Sequence, residues 1–154
     1  MGTTYQDFLS ALRMRESSGS YTLVNTLGFL GAYQFGEAAL VDLGFVRADS
    51  TPYNNDFSGG WTGKFGVNSR SQFLNSKSAQ DAAADLWFPL IWRYLEAIGA
   101  DDYIGRNIGG IQISASGLIA GAHLLGAGRV KEWLDSNGAL SLKYAYGTPI
   151  SEYI

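Results

Sequence analysis

The stretch from about Ser78 to Ile98 constrains the fold of this chain more than any other segment. Its apolar residues recur at the spacing of a helix, and the apolar density around Trp87 to Trp92 predicts burial on more than one face. A long helix of this kind is typical of the centre of an α-domain. The predicted buried stripe consists of Ala79, Ala83, Leu86, Trp87, Leu90, Ile91, Tyr94 and Leu95.

The remaining segments predict shorter elements around this helix. A first helix starts near Tyr5 after a cap at Thr3 or Thr4, and Ser17-Ser18-Gly19 ends it. Further helices are predicted at about 36–43, 114–125 and 129–134. Short extended pieces at 21–24 and 29–35 flank a turn, and a polar loop at 48–71 is expected to pack through Phe57, Trp61 and Phe65. With no internal repeat or linker, we expect one domain over residues 1–154: a mainly α fold with a small β-hairpin element.

Composition excludes several functional classes. Eleven basic and fourteen acidic residues give a net charge of −3, without the basic face that nucleic-acid binding requires. The chain has no cysteine and one histidine, which excludes disulfides, cysteine nucleophiles and the common zinc patterns. Neither Asp101-Asp102 nor the 54–56 segment has calcium-loop spacing, and no phosphate-binding glycine loop is present. We therefore expect no metal and no cofactor.

No targeting or membrane segment is visible in the sequence. The residues after Met1 lack a basic and then apolar leader pattern, and the longest apolar stretch, Gly117 to Gly128, is too short to span a bilayer. We expect no membrane insertion. A chain that acts outside the cytoplasm would then be delivered by another route or would be truncated here.

Arg15-Glu16-Ser17-Ser18-Gly19 places a carboxyl group on the last turn of the first predicted helix. The negative end of the helix dipole disfavours the charged form of Glu16 there, and a protonated carboxyl is what glycosidic cleavage needs. The alternative is a surface glutamate paired with Arg13 or Arg15.

A second segment, 31–35, reads Gly-Ala-Tyr-Gln-Phe. Gln34 offers both a donor and an acceptor for a hydroxyl or acetamido group, and the neighbouring aromatic residues Tyr33 and Phe35 suit a sugar ring. The alternative is a polar residue in a turn.

A third segment, 122–130, reads Ala-His-Leu-Leu-Gly-Ala-Gly-Arg-Val. In order and spacing the three segments resemble the motifs of the soluble lytic transglycosylase and goose-type lysozyme branch of the lysozyme-like superfamily. His123 and Leu124 replace the tyrosine and asparagine of that family's third motif. Because the family's tyrosine reaches the catalytic glutamate, the resemblance implies that His123 can hydrogen-bond to Glu16. The alternative is a core histidine bonded to a backbone carbonyl.

The resemblance implies a lysozyme-like domain that cleaves the β-1,4 bond between N-acetylmuramic acid and N-acetylglucosamine in peptidoglycan. Glu16 is then the general acid/base, and Ser17, Tyr33, Gln34, Phe35 and His123 line the cleft. The family's route uses one glutamate and yields a 1,6-anhydro product. A muramidase needs a second carboxylate, for which the chain offers candidates without a distinctive motif: Glu37, Asp42, Asp49 and Asp56.

The same resemblance bears on partners and location. The expected partner is a peptidoglycan glycan strand, reached in the bacterial periplasm or cell wall. Residues 61–67 and 80–83 look like phage-associated and secretion-cargo members, which favours delivery by phage or secretion machinery, with any delivery or immunity partner left open. A non-catalytic glycan-binding or structural module and a chitin-directed enzyme are the alternative functions.

Overall fold

The computed structural model describes residues 5–51 and 54–139. It is mainly helical with one small antiparallel sheet, which confirms the predicted fold class. The helices are α1 (Tyr5–Ser17), α2 (Glu37–Asp42), α3 (Arg70–Leu74), α4 (Lys77–Ala97), α5 (Ala115–Leu125) and α6 (Ala127–Asp135), with 3₁₀ turns at Lys64–Gly66 and Ala100–Tyr103. Strands β1 (Asn107–Ile108) and β2 (Ile111–Gln112) pair with Asn107 opposite Gln112.

The chain divides into two compact units, residues 1–87 and residues 88–154, and the division falls within α4. None of the helices in the described ranges has the length and apolarity needed to cross a membrane. The predicted helix cap at Thr3 or Thr4 lies outside the described residues.

Helix α1 ends where the sequence predicts. Ser18 and Gly19 both adopt left-handed backbone conformations, with φ of 55° and 83°. Their amides donate to the carbonyl oxygens of Met14 at 3.0 Å and Arg13 at 3.1 Å, which satisfies two acceptors that the helix end would leave unpaired. The chain therefore turns sharply just after Glu16.

The segment 21–35 differs from the prediction. Residues 29–35 do not form an extended piece, because Gly31 (φ 77°) and Gln34 (φ 56°) close a tight turn between them. Leu30 and Phe35 flank that turn and exchange both backbone hydrogen bonds at 2.9 Å. Only isolated bridges form here, and the paired strands lie at 107–112, where none was predicted.

Aromatic packing around Phe73 holds the first unit together. Phe73 lies on α3, a helix that was not predicted and that Ser69 caps by accepting a hydrogen bond from the Gln72 amide at 3.1 Å. The ring centroids of Phe35, Phe45 and Trp61 lie 5.6–6.2 Å from that of Phe73. Aromatic pairs at this separation add to the free energy of burial.

The loop after α2 packs partly as expected. Phe57 stacks on Trp61 at 5.6 Å and is buried, whereas Phe65 is 59% exposed. The prediction that this loop packs is therefore confirmed for Phe57 and Trp61. Phe65 makes one aromatic contact, with its ring centroid 5.7 Å from that of Phe45, but its side chain is largely exposed.

Most of the predicted stripe of helix α4 is confirmed, because five of its residues are buried: Ala79, Ala83, Trp87, Ile91 and Leu95. Leu86 and Tyr94 are each 42% exposed, while Ala84 and Phe88 are buried instead. The prediction combined two neighbouring rows of residues on the helix surface. Residues 86, 90 and 94 follow one another at intervals of four and form a row beside the buried row. Gln80 also lies on the buried side and is fully inaccessible.

In the second unit, α5 packs against α6 at a sharp corner. Gly126 forms both the end of α5 and the start of α6, with φ 94° and ψ 146°, and its amide donates to the Ala122 carbonyl at 2.8 Å. Val130 is fully buried in α6. The segment 122–130 that resembles the family's third motif therefore builds this corner.

Candidate active site around Glu16

Glu16 is the penultimate residue of α1, and its side chain is half-buried. Its Oε1 is shielded from solvent and has no hydrogen-bond partner. No ion pair reaches this carboxyl from any described residue. Arg13 donates to the Tyr33 hydroxyl at 2.7 Å, so the interpretation as a glutamate paired with Arg13 is not supported.

Burial raises the pKa of Glu16 to about 7, and the nearby Arg15 charge lowers it less than burial raises it. The physical cause is the loss of water around an ionised oxygen that no donor replaces. At neutral pH the carboxyl is therefore protonated in a large fraction of molecules. A group with a pKa near the working pH can both donate and accept a proton.

Ser17 joins the first two predicted motifs. Its buried hydroxyl donates to the Ala32 carbonyl oxygen at 2.8 Å, and the Arg13 carbonyl lies 3.0 Å away. The end of α1 is thereby fastened to the turn at 31–34. The structure thus brings the Glu-Ser and Gly-x-x-Gln segments together.

Gln34 is buried, with 5% of its surface exposed. Its Nε2 donates to the Gly31 carbonyl at 2.9 Å and the Leu23 carbonyl at 3.4 Å. The side-chain amide therefore closes its own turn, which favours a role in shaping the turn over direct contact with a substrate.

Tyr33 and Phe35 are fully buried. The Tyr33 hydroxyl accepts from Arg13 and lies 3.1 Å from Asp81 Oδ1, to which Tyr21 also donates at 2.7 Å. Burial raises the pKa of Tyr33. Both rings support the turn from inside, so their burial favours packing over the predicted lining of a cleft.

Gln80 is the residue that the sequence analysis missed. Its Oε1 accepts from the Ala32 amide at 3.0 Å, and its Nε2 donates to the carbonyl oxygens of Tyr21 at 2.8 Å and Phe73 at 2.9 Å. One side chain thus connects the turn beside Glu16 to α3 and α4. The sequence does carry a signal for Gln80. It is an uncharged polar residue that precedes the apolar residues Ala83, Ala84 and Trp87 by three, four and seven positions, which is the spacing of one helix face.

His123 lies on the last turn of α5 in the second unit. Its ring is half-buried and meets Phe88 edge to face, with the centroids 5.3 Å apart. This contact fixes the ring within its own unit. The bond from His123 to Glu16 stays a prediction.

Three of the four candidates for a second carboxylate form a group of their own. Glu37, Asp49 and Asp56 each offer one carboxylate oxygen, and these three atoms lie within 4.8 Å of one another. Asp42 is exposed at the end of α2. Glu37 is fully buried on the first turn of α2, and its Oε1 accepts from the Phe57 amide at 2.8 Å. Among the residues described, this group is the one that could hold a cation.

The end of α1 thus carries a partly desolvated carboxyl beside a turn that buried polar bonds hold in place. Comparisons with protein-family models, with curated proteins and with solved structures found no match to this chain.

Proposed function

We propose that this chain cleaves the glycan strands of peptidoglycan at the β-1,4 bond between N-acetylmuramic acid and N-acetylglucosamine, with Glu16 as general acid and then general base. The observation that carries the proposal is the Glu16 carboxyl, with one buried and unpartnered oxygen and a pKa raised by burial to about 7. The substrate class comes from the resemblance of the three motifs, in their order along the chain, to those of the lytic transglycosylase family.

In the first step, protonated Glu16 donates its proton to the glycosidic oxygen as the bond from that oxygen to the anomeric carbon breaks. Positive charge develops on the sugar ring, and the carboxylate left behind is close enough to stabilise it. The raised pKa of Glu16 keeps the proton available near neutral pH.

In the second step, the Glu16 carboxylate removes a proton from the attacking oxygen. Attack by the C6 hydroxyl of the same muramic acid residue gives a 1,6-anhydro product, and attack by water gives a reducing end. The first route needs a single carboxylate, and Glu16 is the only acid in a recognisable motif. We therefore favour the lytic transglycosylase over the muramidase.

The residues around Glu16 act as support. Ser17 and Gln80 hold the turn at 31–34 against the end of α1, so the carboxyl sits on a rigid frame. A preorganised acid reorients less during the reaction, and this lowers the barrier. The site of action is the bacterial periplasm or cell wall, reached by phage or secretion machinery.

The decisive experiment digests purified sacculi with the parent protein, Glu16→Gln and the matched control Glu96→Gln, an exposed glutamate on α4. We expect soluble muropeptides with anhydro ends from the parent and the control. We expect at least a 100-fold loss of rate for Glu16→Gln, since general acid/base help is worth about 10²- to 10⁴-fold.

Mass spectrometry of the released fragments separates the two chemistries, because anhydro ends differ from reducing ends by one water. Reducing ends alone would identify a muramidase. No release by the folded parent, together with binding to sacculi, would identify a non-catalytic glycan-binding module. Release of fragments from chitin but not from sacculi would identify a chitin-directed enzyme.

A further inference from the structure

A second group of acids lies at the start of α2, separate from Glu16 in sequence. Glu37, Asp49 and Asp56 each offer one carboxylate oxygen, and these three atoms lie within 4.8 Å of one another. Glu37 is fully buried, Asp49 is half-buried and Asp56 is exposed. The three acids therefore form one group that is buried at Glu37 and reaches solvent at Asp56.

Glu37 has an oxygen that nothing satisfies. Its Oε1 accepts from the Phe57 amide, while its Oε2 is buried without a hydrogen-bond partner. An unpaired buried carboxylate oxygen is costly to keep in a folded protein. Within residues 5–51 and 54–139 no lysine, arginine or histidine forms an ion pair with any of the three acids.

The two aspartates are oriented by hydrogen bonds from the residues around them. Asp49 accepts from the Thr51 amide and the Ser58 hydroxyl, each at 2.7 Å. Asp56 accepts from the Ser58 amide at 3.0 Å and the Asn54 side-chain amide at 2.9 Å. Each carboxylate oxygen has a second lone pair, so these bonds leave room for coordination.

We propose that Glu37, Asp49 and Asp56 bind a calcium ion. All the donors are carboxylate oxygens, which suit a hard cation, and the open side can supply water ligands. Calcium tolerates irregular coordination of this kind, whereas magnesium requires near-ideal octahedral geometry at shorter distances. The buried Glu37 oxygen is the inner ligand.

The ion would fasten the loop at 49–58 onto the first turn of α2. Asn55 already bridges the two, because its side chain accepts from the Glu37 amide at 2.8 Å and donates to the Leu27 carbonyl at 3.0 Å. Asn55 and Phe57 both have left-handed φ values of 57° and 56°. Calcium would therefore raise the stability of the first unit, whatever its catalytic activity.

The test compares thermal unfolding of the full chain after chelation with EDTA and after addition of calcium chloride or magnesium chloride. Affinity typical of extracellular calcium modules gives a Kd of about 10⁻⁴ to 10⁻³ M. At a tenfold excess over Kd we expect calcium to raise Tm by about 3 °C and magnesium by less. Terbium luminescence, sensitised by Trp61 beside Phe57, reports binding directly and should be displaced by calcium.

The double variant Asp49→Asn/Asp56→Asn should lose both responses, while the matched control Asp42→Asn keeps them. Because the double variant removes only half-buried and exposed groups, circular dichroism should show a folded chain. If it does not fold, the single variant Asp56→Asn should show at least a tenfold weaker terbium affinity.

Two results would overturn the proposal. Absence of terbium binding and of a calcium-dependent Tm at millimolar concentrations would mean that Glu37 shares a proton with its neighbours instead. An undiminished calcium response in the aspartate variants would place the ion elsewhere on the chain.

Discussion

The Ser17 hydroxyl donates a hydrogen bond to the Ala32 carbonyl oxygen at 2.8 Å, and both residues are buried. This bond fastens the residue after Glu16 to the turn that contains Gln34. The carboxyl of Glu16 is therefore positioned by the same contact that holds the second motif, and a change in either segment is expected to affect the other.

Replacement of Glu16 by Gln should make the protein more stable at pH 8. The pKa of Glu16 is about 7 in the folded chain against an ordinary value of 4.5, so the folded state binds more protons between these values and stability falls as pH rises through that window. The loss of stability amounts to about 3 kcal/mol at most. Urea unfolding of parent and variant from pH 4 to pH 8 measures it. A constant difference across the range would contradict a raised pKa for Glu16.

Gln34→Ala and Gln34→Gly should differ in stability. Both remove the bond to the Gly31 carbonyl, which costs about 1–2 kcal/mol. Only glycine adopts φ of 56° without strain, so the Gly variant should be more stable than the Ala variant by about 1 kcal/mol. Rates on sacculi should be reduced in both and should follow the same order. Equal loss of activity despite unequal stability would indicate that Gln34 contacts the substrate.

Gly31→Ala should destabilise the chain by about 2–4 kcal/mol. Its φ is 77°, and an added Cβ would lie 2.6 Å from the Gln80 Cδ, so the buried Gln80 amide would have to move. Gly128→Ala on α6 is the control, because its added Cβ meets nothing within 4 Å and the change should stabilise by about 0.5–1 kcal/mol. Thermal unfolding ranks the two, and similar Tm values would contradict the close contact with Gln80.

Gln80→Glu should be more destabilising than Gln80→Met at pH 7.5. The Glu variant presents an anion to the carbonyl oxygens of Tyr21 and Phe73, whereas the Met variant only leaves those groups unpaired at a cost of about 1–3 kcal/mol each. Burial among acceptors raises the pKa of the introduced carboxyl, so its penalty should shrink as pH falls toward 5. Chemical denaturation at both pH values checks this, and a pH-independent gap between the variants would refute it.

His123→Phe should lower the rate on sacculi more than His123→Tyr. Tyrosine restores a hydrogen-bonding group in the ring, while phenylalanine retains the edge-to-face contact with Phe88 and loses that group. We expect the pH–rate profile to change shape in the Phe variant if His123 bonds to Glu16. Identical profiles from pH 4 to pH 9 for both variants would make His123 a packing residue of the second unit.

Local pattern was enough for most helices of the described residues, although it missed α3. Helix α4 follows from the spacing of its apolar residues, and the end of α1 follows from Gly19, which relieves the strain of a left-handed turn. The position of Glu16 on that last turn follows from the same pattern, while its expected role as the acid came from the family resemblance of the motifs. Each of these inferences uses interactions within a few residues along the chain.

Other features depended on contacts between residues far apart in sequence. Gln80 reaches Ala32 and Tyr21, and Glu37 meets Asp49 and Asp56. The tight turn at 31–34 replaced a predicted extended piece because the side chain of Gln34 bonds to the Gly31 carbonyl inside a buried cluster. Helical periodicity says which residues share a face, but only packing decides which buried polar groups meet. The sequence therefore predicted a carboxyl group at the end of α1, while the raised pKa of that group arose from the tertiary structure, since desolvation depends on every segment that covers the carboxyl.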